Sequence, residues 1–428
     1  MKLLFEAARL IDPASGLDRV GDLAVDDGRI VGVGVAPAGF TADQRVPAQG
    51  AVLAPGLIDL HARLRGSGSA LEGGVESELR AAVAGGVTTL VCPPDTDPVL
   101  DEPGLVEMLM QRTQRAGLSR VLPLGALTRG LAGEVLAEMG GLTQAGCVGL
   151  GQAERPVRNT SVLWRALQYA ASFGHKVWLR PQDAFLSGGV AASGPLATRL
   201  GLSGVPAMAE SIALHTLFEL MRATGAAVHV QRLSTLQGVA LLRAAKAEGL
   251  AVTADVSVHS LHLIDQDIGF FDTSARLEPP LRQQRDREAL RAALADGTVD
   301  ALVSDHVPVD ADGKALPFAE ATPGASALEL LLGLALHWAD QAGLSLQQAL
   351  APLTARAAAV LGSPAGRLSE GAPADLCLFD PAVRWPVTAE ALRSRAKHTP
   401  FAFERCGMEL PGRVLGTWVA GRQVHGGE

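Results

Sequence analysis

The alternation of two kinds of segment between residues 55 and 365 constrains the fold more than any other feature. Apolar runs such as TTLVCPP, RVLPLGAL, HKVWLR, AAVHVQRLS, LAVTADVSVH and VDALVSDH read as strands that are buried on both faces. Between them lie stretches with helical spacing, including MAESIALHTLFELMRATG, TLQGVALLRAAKAEG and REALRAALADG, and the last two end at a glycine that suits a helix C-terminus. Strands that alternate with helices in this way predict a parallel sheet, and this many units favour closure into a (β/α)₈ barrel.

The two ends of the chain have a different pattern. LLFEAARLI and GDLAVDDGRIVGVG near the start, and GRLSEGAPADLCLFDP and GRVLGTWVAGRQVHGG near the end, are short strand-like segments bounded by Gly, Asp and Pro. The length of 428 residues by itself also fits three small domains. Because chain termini often lie close together, we expect residues 1–54 and 366–428 to form one small β-sandwich domain beside a barrel over residues 55–365.

Composition and charge exclude several classes of partner. Hydrophobic residues make up 48% of the chain, which is enough for a large core. The formal net charge is −8, and Lys and Arg are scattered among acidic neighbours, so we expect no nucleic-acid partner. No apolar run approaches the roughly 18–20 residues of a membrane span, and the start of the chain has no continuous apolar stretch, so we expect no membrane association and a cytoplasmic protein. Four cysteines without a CxxC pair predict buried free thiols.

Polar residues follow directly after the apolar runs. In a (β/α)₈ barrel the functional site is built where the strands end, at their carboxyl side. The residues in these positions are His61, Arg63, Arg65, Asp95, Arg180, Asp183, His229, Arg232, His259, Asp305 and His306. The barrel therefore predicts that these side chains converge at one mouth.

Several segments resemble the dihydroorotase branch of the amidohydrolase superfamily. They are PGLIDLHARLR, GGVTTLVCPPDTDPVLD, VTADVSVHSLHL, EPPLRQQRDREALRAALADGTVDALVSDHVP and HTPFAFERCGMELPGRVLGTWVAGRQV, which occur in the family's order over almost the whole chain. The resemblance implies a (β/α)₈ barrel that carries one or two Zn²⁺ ions in active members. The zinc makes a hydroxide that attacks the cyclic amide, and an Asp after the last strand is both ligand and general base.

The metal-binding motifs of the family are incomplete in this chain. Active members have His-x-His after the first strand, and here the motif reads His61-Ala62-Arg63. The family's F-S-D-D-G-x-P-V stretch, which holds a bridging carboxylate, corresponds to LGQAERPV, with Gln152 and Ala153 at the acidic pair. The resemblance therefore implies that no anion remains here to bridge two metals.

Two further histidine ligands have become arginine. The His of an H-C-E-D-like stretch corresponds to Arg180, and the His of an H-x-x-H-x-S stretch corresponds to Arg232, so that only His61 and Asp305 remain of the matched ligands. Zinc needs at least three protein ligands, and a guanidinium has five donors and no lone pair. We therefore expect no metal and no other cofactor.

The arginines have another use in a barrel without metal. Arg63, Arg180 and Arg232 supply bidentate hydrogen bonds, and we expect them to pair with Asp305, Asp183 or Glu278. An anion-binding pocket made by the same three arginines is the competing interpretation.

The residues that would bind substrate are also altered. Arg65 matches the arginine that binds a substrate carboxylate, but Asp95 and Glu278 stand where the family has Asn. A carboxylate added where an anionic substrate lies disfavours its binding. The sequence thus predicts a vestigial site without catalytic residues, made of His61, Arg63, Arg65, Asp95, Gln152, Arg180, Arg232, Glu278 and Asp305.

The resemblance extends to relatives that have lost the zinc ligands. Such relatives are the non-catalytic chains of bacterial aspartate carbamoyltransferase, which hold catalytic trimers together in a dodecamer of six and six. By this resemblance we expect a structural subunit of de novo pyrimidine biosynthesis that forms a homodimer within a hetero-oligomer with the aspartate carbamoyltransferase catalytic chain. Two alternatives stay open: a residual cyclic amidohydrolase that uses His61 and Asp305 with one metal or none, and a regulatory barrel that senses an anion.

Overall fold

A computed structural model of the chain describes residues 1–64 and 74–426. Its strands are β1 (Leu3–Asp12), β2 (Leu17–Asp26), β3 (Arg29–Gly34), β4 (Gln44–Pro47), β5 (Val52–Pro55), β6 (Leu57–Asp59), β7 (Val87–Cys92), β8 (Arg120–Ala126), β9 (Gly149–Gly151), β10 (Val177–Leu179), β11 (Ala191–Ala192), β12 (Gly204–Val205), β13 (Val228–Val230), β14 (Val252–Ser257), β15 (Ala301–Val303), β16 (Leu376–Pro386), β17 (Glu409–Val419) and β18 (Arg422–His425). Its α-helices are α1 (Gly74–Ala84), α2 (Pro103–Ala116), α3 (Met139–Gln144), α4 (Thr160–Ser172), α5 (Pro195–Leu200), α6 (Met208–Thr224), α7 (Leu236–Glu248), α8 (Val258–His262), α9 (Gln284–Asp296), α10 (Ala311–Ala315), α11 (Leu331–Ala342), α12 (Leu346–Leu350), α13 (Ala355–Leu361) and α14 (Phe403–Cys406).

Eight parallel strands form the barrel, in the order β6, β7, β8, β9, β10, β13, β14, β15. A parallel bridge between Ala62 and His306 joins the chain just after the first and last of these strands, where the amide of Arg63 donates to the carbonyl of His306 at 2.9 Å. The strands are almost entirely buried, because helices cover their outer face and side chains fill the interior. The expected (β/α)₈ barrel is confirmed.

The helices end where glycine permits a left-handed backbone. Gly249 follows α7 with φ of +91°, and Gly297 follows α9 with φ of +85°, as the sequence pattern predicted. At the other end of α7, the Thr235 side chain accepts a hydrogen bond from the amide of Gly238. These local signals fix the length of the helices, and the strand that follows each helix returns to the same sheet.

The two ends of the chain build a second sheet of eight strands. Its order is β18, β17, β16, β5, β1, β2, β3, with β4 paired to β1. Phe5 on β1 and Trp418 on β17 are separated by two strands in this order, yet their rings meet at 4.8 Å. The sheet therefore bends around its own core, and the expectation of a β-rich domain formed by both termini is confirmed.

One segment of the C-terminal part leaves this sheet and packs on the barrel. Between β16 and β17, Phe401 is buried in the barrel's hydrophobic core, and the Ser394 hydroxyl donates to Glu78 of α1 at 2.6 Å. The exact domain boundaries at residues 54 and 366 stay predictions.

The cysteine expectation is correct for three of the four thiols. Cys92, Cys147 and Cys377 are buried, whereas Cys406 in α14 is exposed, so the prediction that all four are buried is wrong. The short helix α14 lies on the surface, which leaves this thiol open to solvent.

Within residues 1–64 and 74–426, no helix combines the length and the apolar character that crossing a membrane requires.

Candidate functional site

The site lies at the barrel mouth, where the strands deliver the polar residues that follow them. The contributions are His61 and Arg63 after β6, Asp95 after β7, Glu154 after β9, Arg180 after β10, Arg232 after β13, Glu278 in the connection after β14, and Asp305 after β15. Because all eight strands are parallel, their carboxyl ends share one side of the barrel. The sequence prediction that these side chains converge agrees with this placement.

Glu154 is the centre of the cluster and binds three arginines. Its Oε1 accepts from Arg63 Nη2 at 2.6 Å and from Arg232 Nη1 at 2.6 Å, and its Oε2 accepts from Arg180 Nη1. The three guanidinium groups are almost fully buried, and Glu154 is 22% exposed. One carboxylate thus holds together three cations that come from three different strands.

The sequence analysis missed Glu154, which lies in the LGQAERPV stretch and binds arginines there. Gln152, which aligned with the acidic pair, turns away from the cluster: it accepts from the Thr128 hydroxyl and donates to the carbonyl of Leu131. Ala153 has φ of +50°, so the chain turns sharply after β9 and places Glu154 at the mouth. The signal in the sequence is an acidic residue three positions after the end of β9. It was overlooked because the stretch was compared with the family motif only at the two positions where that motif has its acidic pair.

The other carboxylates bind the same arginines from the edges. Arg63 Nε donates to Asp95 at 3.0 Å, and Arg232 Nη1 donates to Asp305 Oδ1 at 3.2 Å. Glu278 Oε2 lies 3.8 Å from Arg180 Nη1. Asp305 and Glu278 are thus partners of these arginines as expected, but each contact is single and not the expected bidentate pair.

Asp183 does not enter this cluster. The carboxylate of Asp183 accepts from the amides of Phe185 and Leu186 and so closes its own loop. It serves as a turn residue, and the expectation that it pairs with an arginine of the cluster is wrong. Arg65 lies outside the described residues.

Burial and the neighbouring charges set the protonation states. Burial opposes ionisation of Glu154, yet the charges of Arg232, Arg180 and Arg63 hold its pKa well below the ordinary value. Burial raises the pKa of Asp305 to about 6, against the opposing charge of Arg232. Glu154 is therefore an anion at neutral pH. Asp305 gains or loses its proton at about pH 6, slightly below neutral pH.

His61 is neutral, and its lone pair already has a donor. Burial and the charges of Arg232 and Arg63 lower the pKa of His61 well below its ordinary value. Arg63 Nη1 lies 3.3 Å from His61 Nε2, and the side-chain amide of Gln231 lies 3.1 Å from Nδ1. Because a guanidinium only donates, Nε2 accepts from Arg63 and Nδ1 carries the proton, which the Gln231 side chain accepts when its amide is turned to present the oxygen in place of Nε2. The nitrogen that would face a metal thus accepts from an arginine instead.

His229 and His306 are also occupied at both ring nitrogens, whereas those of His259 have no hydrogen-bond partner among the described residues. His229 contacts Asp255 Oδ2 and the Thr253 hydroxyl, each at 2.8 Å. His306 contacts Glu78 at 2.8 Å and accepts from the amide of Ala327 at 3.2 Å. Each ring therefore forms hydrogen bonds to neighbouring segments through both nitrogens, and neither ring has a free lone pair for a metal.

The donor set does not fit a zinc ion. The candidate ligands His61, Glu154 and Asp305 all accept hydrogen bonds from arginines that stand between them. Across the part of the chain that the structure describes, no group of three or more His, Cys, Asp or Glu side chains is arranged to hold a metal ion. A zinc ion here would have to displace permanently charged guanidiniums.

A cavity of about 400 Å³ opens above the cluster. Its polar wall contains Arg63, Asp95, Glu154, Glu278 and Asp305, and its apolar wall contains Val99, Leu131, Leu277, Val307 and Val309. The cavity is large enough for a small molecule. The three buried guanidiniums are directed at carboxylates, so they present few free donors to a ligand in it.

The raised pKa of Asp305 predicts how the stability depends on pH. Between about pH 4 and 6 the unfolded chain ionises this carboxyl group while the native protein keeps it protonated. The free energy of unfolding of the wild type minus that of Asp305→Asn should therefore fall by about 3 kcal/mol as the pH rises from 4 to 7. Urea unfolding at several pH values measures this difference.

His259→Gln provides a control of opposite sign for that experiment. Burial lowers the pKa of His259 to about 3, so native His259 stays neutral while the unfolded chain binds a proton below its ordinary pKa. The difference between wild type and this variant should rise with pH over the acidic range. A level or rising difference for Asp305→Asn would contradict the assignment of a raised pKa.

Two family models match the chain. Residues 50–237 match the dihydro-orotase-like model, and residues 207–425 match the amidohydrolase family model. A dihydroorotase-like protein of Pseudomonas aeruginosa is 44% identical, with 100% of both chains covered. A dihydroorotase of Syntrophotalea carbinolica is 40% identical and covers 99% of this chain and 98% of its own.

Solved structures share the architecture. L-hydantoinase (dihydropyrimidinase) from Arthrobacter aurescens superposes with a TM-score of 0.86 at 23% identity, over 100% of this chain and 96% of that chain. Dihydropyrimidinase from Brevibacillus agri superposes with a TM-score of 0.83 at 19% identity, over 100% and 95%. These likenesses confirm the fold. With the barrel, the composite β-domain and full-length relatives at 40% identity or more, the chain belongs to the dihydroorotase-like family of the amidohydrolase superfamily.

Proposed function

We propose that this chain is a non-catalytic member of its family and serves as a structural subunit of aspartate carbamoyltransferase in de novo pyrimidine biosynthesis. The non-catalytic part of this proposal rests on the cluster in which Glu154 binds Arg63, Arg180 and Arg232. Catalysis in this family depends, by the resemblance, on a metal-activated hydroxide. In the cluster, the candidate ligands His61, Glu154 and Asp305 accept hydrogen bonds from arginines instead of facing a metal.

Electrostatics supports the loss of metal more strongly than the count of ligands does. A unit charge about 4 Å from Zn²⁺ costs several kcal/mol even at an effective dielectric constant of about 20. Three such charges converge here, and each already has a carboxylate partner. Replacing them by a dication would break ion pairs that are almost fully buried, which is expensive.

The structural role is supported by what the chain has kept. The barrel and the composite β-domain are intact, although the described mouth no longer offers a metal site. A fold can retain its outer contacts after its site has changed, since fold and function are separable. Exposed aromatic side chains such as Phe185 and Phe270 suit a protein interface.

Co-expression with the aspartate carbamoyltransferase catalytic chain of the same organism tests the partner. We expect the two chains to co-elute as a hetero-oligomer whose mass by light scattering fits six copies of each. Elution of this chain apart from the catalytic trimers, at concentrations in the micromolar range, would remove the assembly role while leaving the question of catalysis open.

A second candidate is a residual cyclic amidohydrolase, and the observation in its favour is the name of its relatives. The Syntrophotalea carbinolica protein, at 40% identity, is a dihydroorotase. On this view His61 and Asp305 would act with one metal or none. The geometry disfavours it, because both side chains accept hydrogen bonds from arginines.

Metal analysis with an activity assay separates these two functions. We expect purified protein to contain far less than one zinc per chain after growth with zinc, and to show no turnover of dihydroorotate or hydantoin above background. Stoichiometric zinc together with turnover that a chelator abolishes would establish the enzyme and reject the non-catalytic proposal.

The anion-sensing alternative makes a separate prediction at the mouth cavity. A small organic acid would have to compete with Glu154 for the three guanidiniums, and Asp95 and Glu278 would repel it. We therefore expect dihydroorotate and carbamoyl phosphate at millimolar concentration to leave the melting temperature unchanged. A rise that saturates with either ligand would support sensing.

A further inference from the structure

A second, much smaller cavity lies beside the Glu154 cluster. Its wall includes Arg180, Arg232, Arg282, Glu210, Gln182 and Ser234. It has space for about one water-sized particle. It is distinct from the mouth cavity, whose wall does not include Arg232 or Arg282.

Arg232 brings unused hydrogen-bond donors to this cavity. Its Nη1 donates to Glu154, to Asp305 and to the carbonyl of Glu278. Its Nε and Nη2 are fully buried and have no acceptor among the described residues. Buried donors are almost always paired, and those of a charged group are the most costly to leave unpaired. Something that accepts hydrogen bonds is therefore missing next to Arg232.

The carboxylate on the same wall does not meet this need. Glu210 accepts from the amide and hydroxyl of Ser234 and from the amide and hydroxyl of Thr235. Its two oxygens are thus committed to capping the start of α7. Arg282 donates to the carbonyl of Val205 at 2.6 Å and to the Ser234 hydroxyl at 3.4 Å.

The side chains that line the cavity include more cations than anions. They are the guanidiniums of Arg180, Arg232 and Arg282 against the carboxylate of Glu210, while Glu154 pairs with Arg180 and Arg232 from outside the lining. Burial lowers the pKa of Arg282, and the charge of Arg180 lowers it further, while the charges of Glu210 and Asp286 oppose this. An acceptor that also carries negative charge would satisfy both the unpaired donors and the excess of positive charge.

We propose that this cavity binds one monovalent inorganic anion of halide size, which is chloride in the cell. The space fits a single atom and excludes a carboxylate or phosphate, and the wall offers hydrogen-bond donors with net positive charge. The ion supplies the acceptor that Arg232 Nε and Nη2 lack among the described residues. This inference is independent of whether the chain catalyses a reaction or assembles with a partner.

Crystals of the wild-type protein soaked in bromide test the site directly. We expect an anomalous peak in contact with Arg232 Nε and Nη2 and with Arg282. Electron density of a water molecule without an anomalous signal at saturating bromide would overturn the proposal.

Thermal unfolding tests whether the ion binds at cellular concentration. At constant ionic strength, replacing gluconate by chloride should raise the melting temperature by about 2–4 °C. Arg282→Gln should lose this rise, and Arg222→Gln, which removes a surface guanidinium paired with Glu248, should keep it. A bromide peak without any chloride-dependent rise in the wild type would mean an adventitious ion only, and would also overturn the proposal.

Discussion

Glu154→Gln should lower the free energy of unfolding by about 3 kcal/mol or more. The substitution keeps the shape of the side chain but removes the negative charge that Arg63, Arg180 and Arg232 share. Asp95, Asp305 and Glu278 each contact one of these arginines, whereas Glu154 contacts all three. The substitution would therefore leave three buried guanidiniums without their common partner. Urea unfolding measures the loss, and a lower melting temperature should accompany it.

A matched control removes a carboxylate from an exposed ion pair. Glu248 binds Arg222 at 2.6 Å, but both side chains are about 40% exposed, so Glu248→Gln should lower the free energy of unfolding far less than Glu154→Gln does. Adding Arg63→Gln to Glu154→Gln should recover part of the lost stability, because one surplus cation leaves the core. Equal effects of Glu154→Gln and Glu248→Gln would contradict the central role of Glu154.

The triple variant Arg63→His, Arg180→His and Arg232→His should gain zinc binding. It places three imidazoles beside His61, Glu154 and Asp305, which then lose the donors that occupy their lone pairs. We expect at least about one zinc per chain after dialysis, and a melting temperature that rises when zinc is added. Mass spectrometry under native conditions and atomic absorption measure the metal.

A triple glutamine variant at the same three positions separates charge from ligation. It removes the same positive charges without supplying imidazole nitrogens, so it should bind zinc far more weakly than the histidine variant. Equal zinc binding by the two variants would show that repulsion alone keeps metal out. No binding by either would mean that the backbone at the mouth no longer suits a metal.

Much of the fold could be predicted because the signals are local. Runs of β-branched and apolar residues marked the barrel strands, and glycines such as Gly249 and Gly297 marked the helix ends. These residues act on the backbone within one or two turns, so no knowledge of distant contacts is needed. The curvature of the second sheet, which brings Phe5 into contact with Trp418, depends on all of its strands and cannot be predicted from either segment alone.

The site was predictable in its members but not in its connections. Residues after strand ends converge by topology, which identified Arg63, Arg180, Arg232 and Asp305. Which carboxylate binds them depends on a turn: the left-handed backbone of Ala153 brings Glu154 to the mouth, and no sequence rule requires that conformation of alanine. Comparison with the family's F-S-D-D-G-x-P-V motif assumed that any acidic residue would stand at the positions of Gln152 and Ala153.

The shared carboxylate also bears on how such a barrel changes over generations. A single histidine at position 63, 180 or 232 would bring the candidate ligands to three, with His61 and Asp305, but it would remove one counter-ion of Glu154 and leave two guanidiniums to repel a dication. On the proposed function, each single substitution toward a metal site would therefore lower stability before a working site exists. The arginine cluster would then favour its own retention, because natural selection acts on single substitutions.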